Sequence, residues 1–191
     1  MRKIEYNSQR DNFDFGGQFK GSCQCFSTSA WMFLSYYSPD ILAGDDDGLK
    51  RYVDDVSNIV GTPGIGEQVA VKDHSISGNS AYWWQVHKAA IEKKFSDHLY
   101  PYPQKVIFRE QTTIDELRSA LANGPVILGT RKLAGLPGGH IILAVDIDGE
   151  NIICDDPYGD ANTNYKNVNG AGVSYSPELL AGHIGAAMWA E

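Results

Sequence analysis

The sequence predicts an α+β fold in which a mostly helical N-terminal half packs on a C-terminal antiparallel sheet. Three observations carry this. Phe26, Ala30, Phe33, Leu34 and Tyr37 make one apolar helical stripe early in the chain. From Pro125 onward the texture changes to short β-branched runs separated by Gly, Asn and Asp. The chain has 191 residues and 42% apolar content, enough for one domain, 1–191, to bury a core without disulfides.

In chain order, residues through Gly21 are polar and glycine-bearing and read as extended. The first helix follows Ser22 and stops at Pro39, with Cys25 at its N-terminus. Asp45, Asp46 and Asp47 offer first-turn carboxylates to a second helix over Leu49 to Val60, with Gly61 as its stop. A third helix covers Ala81 to Phe95, and Lys105 to Phe108 reads as a short strand. Thr113-Ile114-Asp115-Glu116 is a capping box opening a helix that closes at Asn123-Gly124. Strands then span Val126 to Thr130, His140 to Ile147 and Asn151 to Cys154, the last two joined by Asp148-Gly149-Glu150 as a hairpin. Gly159 to Gly172 reads as a surface loop and Ala186 to Ala190 as a closing strand.

Sixteen basic against twenty-four acidic residues give a formal charge of -8, which repels phosphate backbones and anionic bilayers. Nucleic acid and membrane insertion are therefore excluded as expectations. No apolar run follows Arg2 and Lys3, so the expected product is made in the cytoplasm without a signal peptide. A monomer is expected. The three cysteines, Cys23, Cys25 and Cys154, do not make a disulfide framework, and Cys23 and Cys25 are too close in sequence to bridge each other comfortably. At least one free thiol is expected.

A helix N-terminus favours negative charge, so Cys25 stands where a thiolate would be stabilised. Taken alone, it reads first as a small buried hydrophobe, and only its context overturns that. Gly138-Gly139-His140 puts an imidazole at the entrance of an apolar strand, after two glycines that admit close approach. Asp156, in Asp155-Asp156-Pro157-Tyr158-Gly159, stands at the end of the neighbouring hairpin strand, where it can orient His140 or simply open a turn. Other chemistry is weaker. A zinc site from Cys23, Cys25, Cys154 and a histidine lacks the usual spacing. Asp45 to Asp47 lack the spaced ligands of a calcium loop and read as a solvated helix start. No cofactor is expected. Trp31, Tyr82, Trp83 and Trp84 read as core rather than as a sugar or peptide groove, and His87 as a surface or boundary residue. His74, His98 and His183 join no constellation.

Three motifs in order resemble the papain-like cysteine peptidase superfamily, and within it the peptidases related to the double-glycine bacteriocin-processing proteases. They are Tyr6-Asn7-Ser8-Gln9-Arg10-Asp11-Asn12, Cys25-Phe26-Ser27-Thr28-Ser29-Ala30-Trp31-Met32, and Gly139-His140 followed by Asp156-Pro157-Tyr158-Gly159. Pro39, Gly44-Asp45-Asp46 and the stretch from Gly170 to Ser176 are similar to phage and prophage members, often lytic cell-wall enzymes.

The resemblance implies a papain-like α+β fold with Cys25 as nucleophile, His140 as base and Asp156 as orienter. It implies Gln9 as the oxyanion-hole donor by motif, while Gln18, seven residues before Cys25, has the better spacing and stays open. Cys23 competes with Cys25, and Asp155 with Asp156; the motif register selects Cys25 and Asp156. The implied function is amide hydrolysis, first of peptidoglycan cross-linking peptides by a phage-type lysin acting on the wall after release. The alternatives are a protease that processes a protein or leader peptide, and a catalytically silent binding module of the same fold.

Overall fold

The computed structural model describes residues 4–10, 24–38, 48–49, 51–52, 56, 80–98 and 105–191. Gln18, Cys23 and the Asp45-Asp46-Asp47 run, with the capping and calcium readings attached to it, lie outside these residues. Of the expected second helix, Leu49, Arg51, Tyr52 and Val56 are described and are helical.

Among the described residues, the helices with both ends described are α1 (Cys25–Tyr37), α2 (Ser80–His98), α3 (Ile114–Leu121) and the single turn α4 (Pro177–Leu180). The strands are β1 (Val106–Arg109), β2 (Val126–Arg131), β3 (Gly139–Asp148), β4 (Asn151–Asp155), β5 (Val173–Tyr175) and β6 (Ile184–Ala190). They form one sheet of order β1-β6-β2-β3-β4-β5, antiparallel at every pairing. The fold class is α+β.

The central strands are apolar on both faces because both faces are covered. Ile127, Leu143, Met188 and Val106 join the α1 and α2 aromatics Phe33, Trp31, Trp83 and Trp84 in one core. Val126, Leu128, Ile142 and Ala187 project to the other side, against Leu117, Ala120 and Leu121 of α3. The Thr113 capping box forms as the sequence predicts: Glu116 N–H donates to the Thr113 hydroxyl and Thr113 N–H to the Glu116 carboxylate.

Helix α1 is more deeply set than its stripe suggests, since every residue from Phe26 to Ser35 is buried. Its small hydroxyl residues allow a close approach to the sheet. Ser29 Oγ donates to the Ile141 carbonyl at 3.2 Å, tying α1 to the start of β3. Residues four apart share a helix face. Cys25, one turn before Ser29, is thereby directed to the residue before Ile141, which is His140.

Three readings need correction. His87 is buried at 2% exposure rather than superficial, because Tyr52 hydrogen-bonds its Nδ1 at 2.9 Å and Phe26 stacks on its ring with centroids 3.8 Å apart. Strand β5 and helix α4 were not anticipated, since three- and four-residue elements are too short to display a period. The closing strand begins at Ile184, two residues earlier than expected, and inserts between β1 and β2.

Candidate active site

Cys25 is the first residue of α1, half-buried and not in a disulfide. The helix has no side-chain N-cap and no acidic residue in its first turn, so the N–H groups and the positive dipole end at Cys25 are not offset by a neighbouring carboxylate. His140, 3% exposed at the entrance of β3, interacts with the Cys25 side chain, which acts with Asp156 to raise its pKa. Its Nε2 lies 2.7 Å from Asp156 Oδ1, which leaves Nδ1 for the cysteine. The imidazole therefore spans the thiol and the carboxylate.

Asp156 is fully buried, and an isolated carboxylate there would cost several kcal/mol in lost hydration. Four donors offset that cost. Oδ1 accepts from His140 Nε2 and from the Tyr158 backbone N–H at 2.9 Å. Oδ2 accepts from the hydroxyls of Tyr175 at 2.9 Å and Tyr165 at 3.5 Å. Burial, then the Asp156 charge, pushes both tyrosine pKa values up, so both remain protonated donors throughout the working range. Burial alone would lower the His140 pKa. The charge and hydrogen bond of Asp156, followed by the Cys25 contact, override it and push His140 up to about 10.

The N-terminal motif forms a strap over this network. Tyr6 OH donates to the Asp156 carbonyl at 3.0 Å and accepts from Gly170 N–H at 3.2 Å. Gln9 N–H donates to the Pro157 carbonyl at 2.9 Å. Arg10 Nε donates to the Tyr158 carbonyl at 2.6 Å while its guanidinium lies 3.9 Å from the Tyr158 ring centroid. Gln9 itself is buried beside the Asp156 turn. Gln24, immediately before Cys25, is also buried, and neither of its amide atoms has a hydrogen-bond partner among the described residues.

Cys25, His140, Asp156 and the Gln9 backbone are thus gathered at one end of the sheet. Asp155, the rival carboxylate, is committed elsewhere: it is buried, which raises its pKa, and it accepts from Gly172 N–H at 2.8 Å. Cys154 is fully buried within the core on the α3 side. Sequence reasoning missed Tyr6, Arg10, Gln24, Tyr165, Tyr175 and Gly170 as parts of this network. Tyr6 and Arg10 stood inside a quoted motif and were the readable signal. Among the described residues, no group of three or more His, Cys, Asp or Glu side chains is placed to hold a metal ion. No helix among them is long and apolar enough to cross a membrane.

Two substitutions probe the support of Asp156. Asp156 N–H donates to the Gly170 carbonyl at 2.9 Å, and a Cβ on Gly170 would lie 2.0 Å from the Asp156 carbonyl oxygen. Gly170→Ala is expected to destabilise the protein by roughly 1–3 kcal/mol, as an overpacked site, read from the urea unfolding midpoint. Tyr175→Phe removes the shorter donor to Oδ2 and the acceptor of Ala161 N–H at 3.0 Å. It is expected to cost about 1.5–3 kcal/mol, read from the urea unfolding midpoint.

No curated protein matches the chain. The model of the family described as Peptidase_C39 like family matches residues 1–176, a span that runs from the strap through Cys25, His140 and Asp156 to Tyr175, and the chain belongs to that family.

Proposed function

We propose that the protein is a cysteine peptidase of papain-like arrangement that hydrolyses amide bonds through Cys25, His140 and Asp156. The carrying observation is the His140 ring, hydrogen-bonded to a fully buried carboxylate and interacting with the thiol at a helix N-terminus. In this reading Cys25 attacks the amide carbonyl as thiolate, and His140, held protonated by Asp156, gives its proton to the leaving amine. His140 then takes a proton from the water that hydrolyses the thioester.

The developing oxyanion requires donors in a water-poor site, and Gln9 is the proposed side-chain donor. Replacing it with Ala is expected to lower kcat on the order of 10²-fold without shifting the unfolding midpoint. Gln18→Ala and Gln24→Ala assayed in parallel decide the assignment; a comparable kcat loss in either, with Gln9→Ala unaffected, transfers the role.

The proposed substrate is the cross-linking peptide of peptidoglycan, cleaved as an endopeptidase or amidase of the phage lysin type. The resemblance of the Gly170 to Ser176 stretch to phage and prophage members supports it, and Gly170 closes the Asp156 turn. The wild-type protein should reduce the turbidity of purified cell walls and generate new amino termini. Intact walls alongside cleavage of one defined polypeptide would instead assign it to protein or leader-peptide processing. If neither occurs and a thiol probe leaves Cys25 unlabelled, the fold serves binding alone.

A further inference from the structure

A cavity of about 360 Å³ opens at the entrance of β3, between β2, β3, β6 and Trp84, and shares no lining residue with the Asp156 network. Gly138 and Gly139, which lead directly into His140, form part of its wall. Its floor includes Trp84, whose ring lies 4.6 Å from that of Phe26, the residue after Cys25. Neither Cys25 nor His140 lines the cavity, but its wall is built from residues next to His140 in β3 and from the indole that packs on the residue after Cys25.

The sheet is shaped to make this space. The β2–β6 register jumps from Leu128↔Ala187 to Thr130↔Ile184, so Gly185 and Ala186 bulge opposite Gly129. The Gly185 carbonyl is held out of the ladder by Thr112 N–H at 3.0 Å. A Cβ on Gly129 would lie 2.8 Å from Trp84 Cζ2 and 3.2 Å from the Ala186 carbonyl oxygen. Glycine is what lets the indole lie against the strand.

The rim has a different chemistry from the floor. Arg131, Lys132 and Glu110 line it, all three exposed and none in an ion pair among the described residues. Arg131 Nε stands 3.8 Å from the position of a Gly185 Cβ, along the wall. Lys132 and Ala134 both have positive φ, 54° and 46°, in the turn from β2 to β3, and Lys132 N–H donates to the Gly138 carbonyl at 2.9 Å. Non-glycine residues held in this region store strain and cluster at functional surfaces. Here the strained turn keeps two cations at the mouth of a cavity in a chain of net charge -8.

We propose that this cavity binds the side chain of the substrate residue adjoining the cleaved amide, and that it selects a hydrocarbon stem ending in a carboxylate. The indole, Ile141, Ala186 and the glycine methylenes take the stem. Arg131 and Lys132, outnumbering Glu110, take the charge. The inference rests on the reading of Cys25 as the nucleophile of an amide hydrolase.

The test is a library of internally quenched peptides varied at the residues flanking the cleaved bond, with cleavage sites located by mass spectrometry. Wild type is expected to prefer Glu over Gln and Lys at one flanking position by about fivefold to tenfold, a preference that weakens in high salt. The double variant Arg131→Glu with Lys132→Glu, both exposed and with its fold checked by unfolding midpoint, is expected to prefer Lys there. Gly129→Ala, which pushes the Trp84 indole off the strand, should, once its unfolding midpoint shows it folded, raise KM for the Glu peptide more than it lowers kcat. Cleavage without a charge preference, or a Glu preference that survives the charge reversal, overturns this inference and leaves the hydrolase reading standing. Failure of wild type to cleave any peptide or cell wall while Cys25 labels normally overturns the hydrolase reading instead.

Discussion

Cys25→Ala is expected to lower amide hydrolysis by about 10⁴-fold or more, with His140→Ala causing a loss of similar size and the double variant little further loss. The non-additivity follows from the geometry. One imidazole serves both the thiol and the carboxylate, so removing either the sulfur or the ring eliminates the same step. Because Cys25 is half-buried and outside any disulfide, its truncation should leave the urea midpoint within experimental error of wild type. Full hydrolysis by a folded Cys25→Ala protein would remove the proposed mechanism.

The pH dependence separates the two roles of His140. With its pKa pushed up to about 10, the ring is protonated at neutral pH and loses its proton as the pH rises through about 10. Hydrolysis should fall over that limb, since the leaving amine then has no proton donor. Alkylation of Cys25 by iodoacetamide needs only the thiolate and should persist. For stability the sign is the usual one for a raised histidine pKa. The contribution is fully present below the unfolded value of about 6.5 and is lost as pH rises toward 10, so the urea midpoint should decline across that interval.

What the sequence discloses here is what depends on neighbours along the chain. The α1 stripe, the Thr113 capping box and the β3–β4 hairpin rest on contacts within a few residues, and each leaves a pattern. The candidate cluster was readable as an order, Cys then His then Asp, because a helix start, a strand entrance and a strand end are each marked locally. The support of Asp156 was not. Tyr6 meets its carbonyl across 150 residues of sequence, and Tyr165 and Tyr175 meet its carboxylate from a loop and a strand of three residues. A tyrosine that will solvate a buried charge looks, in sequence, like any core aromatic. Trp84 illustrates the same limit: it was read as core and is buried, yet it also floors the cavity, a second role visible only once the β6 bulge is placed opposite Gly129.

Asp156 carries the second large effect, and two substitutions divide it. Asp156→Ala removes the orienting hydrogen bond and the charge together, and is expected to lower kcat by about 10³-fold while destabilising the fold, because the Tyr158 N–H and two tyrosine hydroxyls lose their acceptor. Asp156→Asn keeps the shape. Its amide oxygen can still accept from His140 Nε2 and Tyr158 N–H, and its amide nitrogen faces Tyr175, whose hydroxyl can rotate to donate to the Gly159 carbonyl, 3.3 Å away. What the asparagine lacks is charge, the influence that does most to overcome burial and hold the His140 pKa high. The expected result is therefore a smaller loss at neutral pH with a displaced profile. The alkaline limb of hydrolysis moves down from about 10 toward the ordinary histidine range near 6.5, so the deficit relative to wild type widens as pH rises from 6 to 9. A uniform loss at every pH, with the limb unmoved, would mean that Asp156 acts by position alone.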